Sequence, residues 1–460
     1  MERDHCGIVA GVTILCSPAR LSDSVVRTVT VRRRLLHRCG HLPSACDGAL
    51  RYDRRCHSTG AGATKDFVCF KSLLWPRQLS HRHVAVRRFA LYPIDRMATN
   101  KNQHFVPRCY LRQFTIDAGN KAINLYNIEH DRFIERAPVK NQCSGDYFYG
   151  KEPLLEDMIQ NFEQSYAVAV SEIIRPDYRL IDEHRTILTQ FWLMQHLRTE
   201  AASRRSVEMN ETMVSTVGLD GAEFKLQIRD AVQMAMQNFI EVIDIVSDLS
   251  ICLVRNRSNV PFVTSDDPAI LSNRWHLQNQ ARTARSFGLS NAGALIFLPI
   301  SPRVLCLGFD RDIHSVQHRN GWVDLHKDSD ADAFNQHQYL NCRANLFVKD
   351  PEDFGAIRSG FRAVSQYRPQ ARHKVHYAVL DRRIDGESTY VVVDKEKASP
   401  HEEALVHLQA THAKPAAWPR QIGWRVGAHY FSNGTGVGYT RRAFTAMSTD
   451  RPFQKLKAFR

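Results

Sequence analysis

The chain has 460 residues, 24% of them charged, and a formal net charge of +14 at pH 7. This length is enough for one large domain or two ordinary domains with a sizeable core. The sequence contains no run of about 18 or more apolar residues, which argues against a membrane-spanning helix.

The first 96 residues differ in composition from the rest. They hold 17 of the 62 basic residues, 7 of the 48 acidic residues and six of the eleven cysteines. Because they show no sustained apolar periodicity, we expect a largely unstructured extension and a folded region that begins near Met97. The excess of arginine over lysine favours the hypothesis that this segment is upstream DNA translated from an early start codon. The alternative is a transit peptide or a disordered basic arm. The closest cysteines, Cys39 and Cys46, lack zinc-ribbon spacing.

Helical periodicity dominates the region that follows. Pro107 suits the start of a short helix, because its missing N–H would have no partner in the first turn. Apolar residues at helical spacing predict two longer helices at 155–173 and 182–198, and a third amphipathic stretch runs over 222–246. Before these, two short runs at 122–127 and 132–136 flank a polar turn and predict a hairpin.

The pattern then changes to short apolar runs. Strands are predicted at 251–255 and 261–264, joined by a polar turn. A second pair of strands, at 294–298 and 304–309, is predicted to form a hairpin across residues 299–303. A last helix is predicted at 331–348. Because helices come first and antiparallel strands second, we predict an α+β fold in which an N-terminal helical half packs on an antiparallel sheet.

The remaining chain carries weaker signals. A hairpin is predicted from 375–380 and 389–393, and a second turn at 432–435. Residues 395–418 are typical of a linker, with few large apolar side chains. The predicted division is therefore an extension at 1–96, an α+β domain at 97–349 and a C-terminal extension with short hairpins at 350–460.

Several motifs together carry a family resemblance. They are His104-Phe-Val-Pro107 with Tyr110, Leu111 and Phe114, then Gln195-x-x-Arg198-Thr199, then Phe262-Val-Thr-Ser-Asp266-Asp-Pro268, Pro299-Ile-Ser-Pro302 and Asn341. In these motifs the chain resembles the bacterial domain of unknown function 4238 over about residues 103–349. The resemblance implies a domain over this range, and it implies no particular reaction.

His104 lies just before the predicted short helix. It is a candidate general base or metal ligand, because an unperturbed imidazole titrates near neutral pH. The alternative is a histidine that pins the start of the helix by hydrogen bonds.

Gln195 and Arg198 lie on the apolar stripe of the second long helix. A guanidinium on an apolar face needs an acidic partner or an anionic ligand. Asp266 follows a predicted strand and is the expected partner. These three residues and His104 are the candidate catalytic group, and the alternative is a buried Arg198–Asp266 pair that holds the helix to the sheet.

The segment Thr264-Ser265-Asp266-Asp267-Pro268 has two interpretations. Its two carboxylates could hold a divalent cation that activates water for phosphodiester cleavage. Successive side chains of an extended segment point apart, however, so we favour an Asx turn and predict no metal site. Ser265 lacks the strand-turn-helix setting of a serine hydrolase.

Five further polar residues are candidate binding residues, namely Tyr110, Thr264, Ser265, Asn341 and Asn345. Asn341 and Asn345 are four apart in the predicted last helix, although asparagine is a poor helix former. We therefore expect their amides to brace a loop backbone or to contact a ligand.

Two functional hypotheses follow. The chain is a hydrolase acting on a phosphate-containing substrate such as nucleic acid, or it is a noncatalytic binding or interaction module whose polar residues are structural. An open cleft around those residues would favour the enzyme, and a sealed arrangement the module. The near-neutral charge after residue 96 argues against avid nucleic-acid binding.

Other properties are predicted from what the sequence lacks and from its cysteines. It shows no Walker, Rossmann or zinc-protease pattern, so the cofactor stays unknown, and the one kind of partner it suggests is an anionic or phosphate-containing ligand. The five cysteines after Met97 are scattered singly among apolar neighbours, which predicts a cytoplasmic protein.

Overall fold

The computed structural model describes residues 13–16 and 101–459, except 118, 152, 219–220, 280–285, 385–386, 399–403, 435–437 and 448–450. The predicted extension at 1–96 and its predicted end at Met97 therefore lie outside the described residues, apart from one strand at 13–16. The described residues form helices and mainly antiparallel sheets, so the predicted α+β class is confirmed.

Eight α-helices occur among the described residues. They are α1 (Arg108–Leu111), α2 (Pro153–Ile173), α3 (Asp182–Arg198), α4 (Glu200–Val217), α5 (Ile228–Glu241), α6 (Arg274–Leu277), α7 (Asp328–Asn341) and α8 (Phe354–Val364). The short helix after Pro107 and the two long helices α2 and α3 lie where the sequence predicts them. None of these described helices has the length and apolar character needed to cross a bilayer.

The strands fall into six small sheets. They are β1 (Thr13–Cys16), β2 (Asn102–His104), β3 (Ala122–Asn127), β4 (Arg132–Pro138), β5 (Ser144–Asp146), β6 (Ser250–Asn256), β7 (Thr264–Ser265), β8 (Ile270–Ser272), β9 (Leu295–Ser301), β10 (Val304–Phe309), β11 (His314–Ser315), β12 (Trp322–Leu325), β13 (Asn345–Val348), β14 (His373–Ile384), β15 (Glu387–Val393), β16 (Ala404–Ala410), β17 (Gly423–Trp424), β18 (His429–Ser432) and β19 (Gln454–Lys457). The predicted hairpins β3–β4, β9–β10 and β14–β15 are confirmed.

Helix α4 is not predicted by the sequence pattern. Its buried residues are mostly small or polar, such as Ala201, Ser203 and Asn210, so no apolar stripe marks it. Thr199 separates it from α3 with an extended backbone, and the Thr199 hydroxyl accepts a hydrogen bond from the Ala202 N–H. The predicted amphipathic stretch at 222–246 is α-helical only over the shorter α5, and residues Ala222–Phe224 form a short 3-10 helix before it.

The central sheet has the strand order β12-β6-β10-β9-β8, and β12–β6 is its parallel pair. Apolar residues of α2, α3 and α5 pack on one face, where the Trp192 indole N–H donates to the Phe297 carbonyl at 3.2 Å. Helix α7 covers the other face through Phe334. The predicted packing of the helical half on an antiparallel sheet is confirmed, and burial on both faces explains why β9 and β10 are continuous apolar runs.

One strand prediction is wrong in its partner, and one helix prediction is wrong over its last residues. The run at 261–264 does not pair with β6, because β7 joins a second sheet of order β4-β3-β13-β7. The helix predicted at 331–348 ends at Asn341, and residues 345–348 form β13. Cys342 turns the chain with an extended backbone (φ −52°, ψ 149°), and the next three amides bind a side chain instead of continuing the helix.

The C-terminal segment packs against the preceding domain. The predicted linker contains β16, which pairs with β14 on one side and with β1 on the other. Arg441 is buried and binds the Asp248 carboxylate through Nε (2.8 Å) and Nη2 (2.9 Å), and the Ile245 carbonyl at 2.7 Å. Ile357 and Phe361 of α8 share a core with the second sheet. The segment from 353 onwards is thus joined to the preceding domain by buried polar and apolar contacts.

Arg441→Met should lower the free energy of unfolding by about 3 kcal/mol, because it leaves Asp248 without its buried counter-ion. Urea unfolding measures the change. Arg442→Met is the matched control, since the Arg442 side chain is 64% exposed. Equal stability of the two variants would show that the segment is not held by this ion pair.

Loss of hydration in the fold lowers the pKa values of several histidines, most strongly to about 4 for His314 and to about 3 for His337 and His412. The unfolded chain binds a proton at each below about pH 6.5, and the folded chain does not, so stability falls as the pH falls from 6.5. His337 has no hydrogen bond at Nε2 and lies with its ring 4.4 Å from that of Phe297. His337→Leu should therefore reduce the stability loss between pH 7 and pH 5 by about 2 kcal/mol.

Urea unfolding at the two pH values tests this prediction. His130→Leu, at an exposed position, is the control and should keep the wild-type pH dependence. An unchanged pH dependence in His337→Leu would show that His337 takes up its proton in the folded state.

Candidate functional site

The predicted Gln195–Arg198 pair lies at the buried C-terminal end of α3. The Arg198 side chain is 0% exposed, its Nη1 is 2.9 Å from Oε1 of Glu163 on α2, and its Nε donates to Gln195 Oε1 at 2.6 Å. Gln195 Nε2 in turn donates to the Phe105 carbonyl at 3.2 Å. This chain of contacts ties both helices to the N-terminal motif.

The predicted Arg198–Asp266 pair is wrong, because Glu163 takes the place of Asp266. The i, i+3 spacing of Gln195 and Arg198 does place both on the buried face, but that face meets α2. Glu163 follows Phe162 of the predicted apolar stripe, so a carboxylate bordering that stripe was the available sequence signal.

His104 joins this cluster at its edge. The Tyr149 hydroxyl donates to the His104 carbonyl at 3.0 Å, and His104 Nδ1 is a buried atom without a hydrogen-bond partner among the described residues. Burial, followed by the positive charges of Arg108 and Arg198, lowers the pKa of His104. The neutral imidazole is therefore favoured, and the structure brings together three of the four predicted catalytic residues.

Asp266 lies in a different network at the junction of α7 and β13. Its Oδ1 accepts from the Arg343 N–H at 2.8 Å, and its Oδ2 from those of Ala344 (2.7 Å) and Asn345 (2.9 Å). Burial and the neighbouring Asp267 raise the pKa of Asp266 to about 6 against the effect of these three amides. The carboxylate fixes the turn that ends α7.

Asp267 is also held by the chain. Its Oδ1 accepts from the Thr199 hydroxyl at 2.8 Å, and its Oδ2 lies 2.6 Å from Arg205 Nη1. The two aspartates lie in a bend after β7, where the Asp267 N–H donates to the Ser265 hydroxyl at 3.2 Å, and they face separate sets of donors. No group of three or more potential metal ligands occurs among the described residues.

The five predicted binding residues all make internal hydrogen bonds. The Tyr110 hydroxyl lies 2.6 Å from that of Thr264, and Ser265 donates to Gln338 at 2.7 Å. Asn345 lies in β13 and accepts from Asn127 at 2.9 Å, so it does not share a helix face with Asn341. Asn341 donates to the His337 carbonyl within its own helix at 2.9 Å.

Loop bracing by amides of α7 does occur, but at other positions. Asn335 accepts from the Val263 N–H at 3.0 Å and donates to the Pro261 carbonyl at 2.8 Å. Gln338 donates to the Pro268 carbonyl at 2.9 Å. Their side chains face the segment 261–268, and the sequence signal for Asn335 was only a polar residue beside the buried Phe334.

A family model described as a protein of unknown function (DUF4238) matches residues 102–352, more than half of the chain and all the motif residues above. The chain belongs to the DUF4238 family. Searches of curated proteins and of solved structures found no match. In this DUF4238 protein the motif residues thus form two buried networks, one around Arg198 and one around Asp266.

A surface groove lies between the DUF4238 match and the C-terminal segment. Its volume is about 730 Å³, and its lining comes from residues 315–324 on one side and 420–424 on the other. The pairing of β11 with β17 joins the two sides, with His314 opposite Trp424. Sequence reasoning missed this groove, because its two sides are about a hundred residues apart in the chain.

Asp266→Asn should lower the free energy of unfolding by about 2 kcal/mol. The reason is that the asparagine side chain would point its NH₂ group at backbone N–H groups that need an acceptor. Asp146→Asn is the matched control, since the Asp146 side chain is 66% exposed and should change stability by no more than about 0.5 kcal/mol. Urea unfolding at neutral pH measures both, and a neutral effect at Asp266 would contradict its role in the turn.

Proposed function

We propose that this chain is a noncatalytic binding module and that its family motifs maintain the domain. The observation that carries this proposal is the closure of the Arg198 site: the guanidinium is fully buried and already has a carboxylate partner in Glu163. A substrate phosphate would have to displace Glu163 to reach it. An arginine that positions a substrate normally keeps an accessible face.

The Asp266 network supports the same proposal. A general base or metal ligand needs a lone pair that can face the substrate. Both oxygens of Asp266 accept backbone amides, and both oxygens of Asp267 are bound by Thr199 and Arg205. These contacts account for the polar residues of the motif without a ligand.

A hydrolase acting on a phosphate-containing substrate is the second candidate. One observation favours it: Nη2 of Arg198 and Nδ1 of His104 are both buried without hydrogen-bond partners among the described residues. Unpaired buried donors and acceptors are costly, so they mark places where water or a ligand could bind. His104 is only partly buried and would be the point of access.

The proposal includes a bacterial, cytoplasmic protein whose DUF4238 domain extends over about residues 97–349. The five cysteines of the described residues are free, as is usual in a reducing compartment. The family match over 102–352 supports the domain limits.

Arg198→Met should lower the free energy of unfolding by about 3 kcal/mol, because it strands the Glu163 carboxylate. The double variant Arg198→Met/Glu163→Met should regain part of this loss, since it removes the stranded charge as well. Urea unfolding measures both. The wild type should not hydrolyse p-nitrophenyl phosphate or bis(p-nitrophenyl) phosphate above the buffer rate with Mg²⁺ or Mn²⁺.

The decisive variant for the hydrolase is His104→Ala. If the wild type hydrolyses either ester and His104→Ala abolishes the reaction while keeping the wild-type melting temperature, the binding module is wrong. Hydrolysis that survives in His104→Ala would come from a contaminant or from another site. The stabilities of the Arg198 variants would then decide whether the motif residues have a structural role.

A further inference from the structure

The groove between residues 315–324 and 420–424 has the properties of a ligand site. Its volume of about 730 Å³ lies in the range typical of small-molecule sites. Gln317, His318 and Arg319 are exposed on one side, and Arg420 is exposed on the other. Trp322, which is only 9% exposed, and the partly exposed Trp424 also line the groove.

The charges around the groove favour an anion. Its acidic lining residue, Asp324, lies 2.9 Å from Arg257 and 3.9 Å from Arg255. Arg420 is paired with Asp330, and Arg319 has no ion-pair partner among the described residues. When the ion-pair partners of the lining residues are included, four guanidinium groups accompany two carboxylates, which leaves an excess of positive charge beside the cavity.

Arg420 is held in a fixed orientation. Asp330 accepts from its Nε at 3.1 Å and from its Nη2 at 2.7 Å, and it also accepts from Gln421 at 3.0 Å. Nη1 of Arg420 makes no hydrogen bond to the described residues. A guanidinium that is already ordered loses little entropy when it binds an oxyanion, so it is suited to phosphate recognition.

We propose that this groove binds a phosphorylated small molecule of nucleotide size, with Arg319 and Arg420 as the phosphate contacts. Trp424 already packs against the His314 ring (5.2 Å between centroids) and the Arg274 guanidinium (4.7 Å from the ring centre), and its remaining exposed surface is offered to the apolar part of the ligand. This inference rests on the proposed function, since it names the site and ligand of the binding module. It also gives a role to the C-terminal segment, which supplies Arg420 and Trp424 from outside the family match.

A small molecule fits the groove better than nucleic acid does. Avid binding of a polyanion depends on many basic groups along its path, and the chain after residue 96 carries only a small excess of positive charge. The groove offers two phosphate contacts, namely Arg319, which has no ion-pair partner among the described residues, and Nη1 of Arg420, whose Nε and Nη2 bind Asp330.

The test is calorimetric titration of the full chain with AMP, adenosine, inorganic phosphate and a single-stranded oligonucleotide. AMP should bind, and adenosine should bind about tenfold more weakly or not at all, because it lacks the charge-assisted contacts. Inorganic phosphate should also bind more weakly than AMP, because it lacks the part that contacts Trp424. An oligonucleotide that binds more tightly than AMP would contradict the small-molecule assignment.

Arg319→Ala should weaken AMP binding about tenfold, and Arg132→Ala, at an exposed position in β4, should leave it unchanged. Arg319 is the deciding position because it is exposed and its loss strands no carboxylate, whereas Arg420→Ala would leave Asp330 unpaired. Absence of AMP binding at about 1 mM, or equal binding by both variants, would overturn the proposal.

Analysis of the nucleotide after titration separates this inference from the proposed function. Intact AMP bound through Arg319 supports both. If AMP binds through Arg319 and is then dephosphorylated, the groove is confirmed as a ligand site, and the proposal of a noncatalytic module is wrong. Failure of AMP to bind would overturn the groove, and the Arg198 and His104 variants would still test the module.

Discussion

The buried guanidinium of Arg198 is the contact on which the helical half depends. It joins Glu163 of α2 to Gln195 of α3, and Gln195 continues the connection to the backbone at Phe105. A charge in such a place must be paired, because an isolated buried cation is very unfavourable. The arrangement therefore fixes how two long helices and the N-terminal motif lie against one another, and this positions the apolar face that covers the central sheet.

A second constraint acts at the junction of α7 and β13. There a carboxylate, Asp266, replaces the hydrogen bonds that a continuing helix would have made, so the chain can leave α7 and enter the second sheet. Amides of α7 hold the segment 261–268 against the same helix. The two motif networks centre on different charged groups, they touch where Thr199 donates to Asp267, and each joins elements that are distant in sequence.

The groove shows a different relation between sequence and structure. The motifs of the DUF4238 domain are directed inward, whereas the exposed arginines and the partly exposed Trp424 lie where the C-terminal segment meets the domain. The buried motif residues would then stabilise the fold, and the exposed groove residues would contact the ligand. This separation is physically reasonable, because buried polar networks favour a single structure and surface sites need accessible groups.

The sequence by itself determined the α+β class, the helices α2 and α3, the hairpins β3–β4, β9–β10 and β14–β15, and the burial of Gln195 and Arg198, because periodicity along the chain reports which side of an element is apolar. It did not determine α4, whose buried residues are small or polar, or the strand at 345–348, whose start depends on Asp266 nearly eighty residues earlier. Only the tertiary structure decided that Glu163 is the partner of Arg198 and that residues 315–324 and 420–424 enclose a groove. Pairing between distant residues depends on how the elements pack, and local patterns carry no record of that packing.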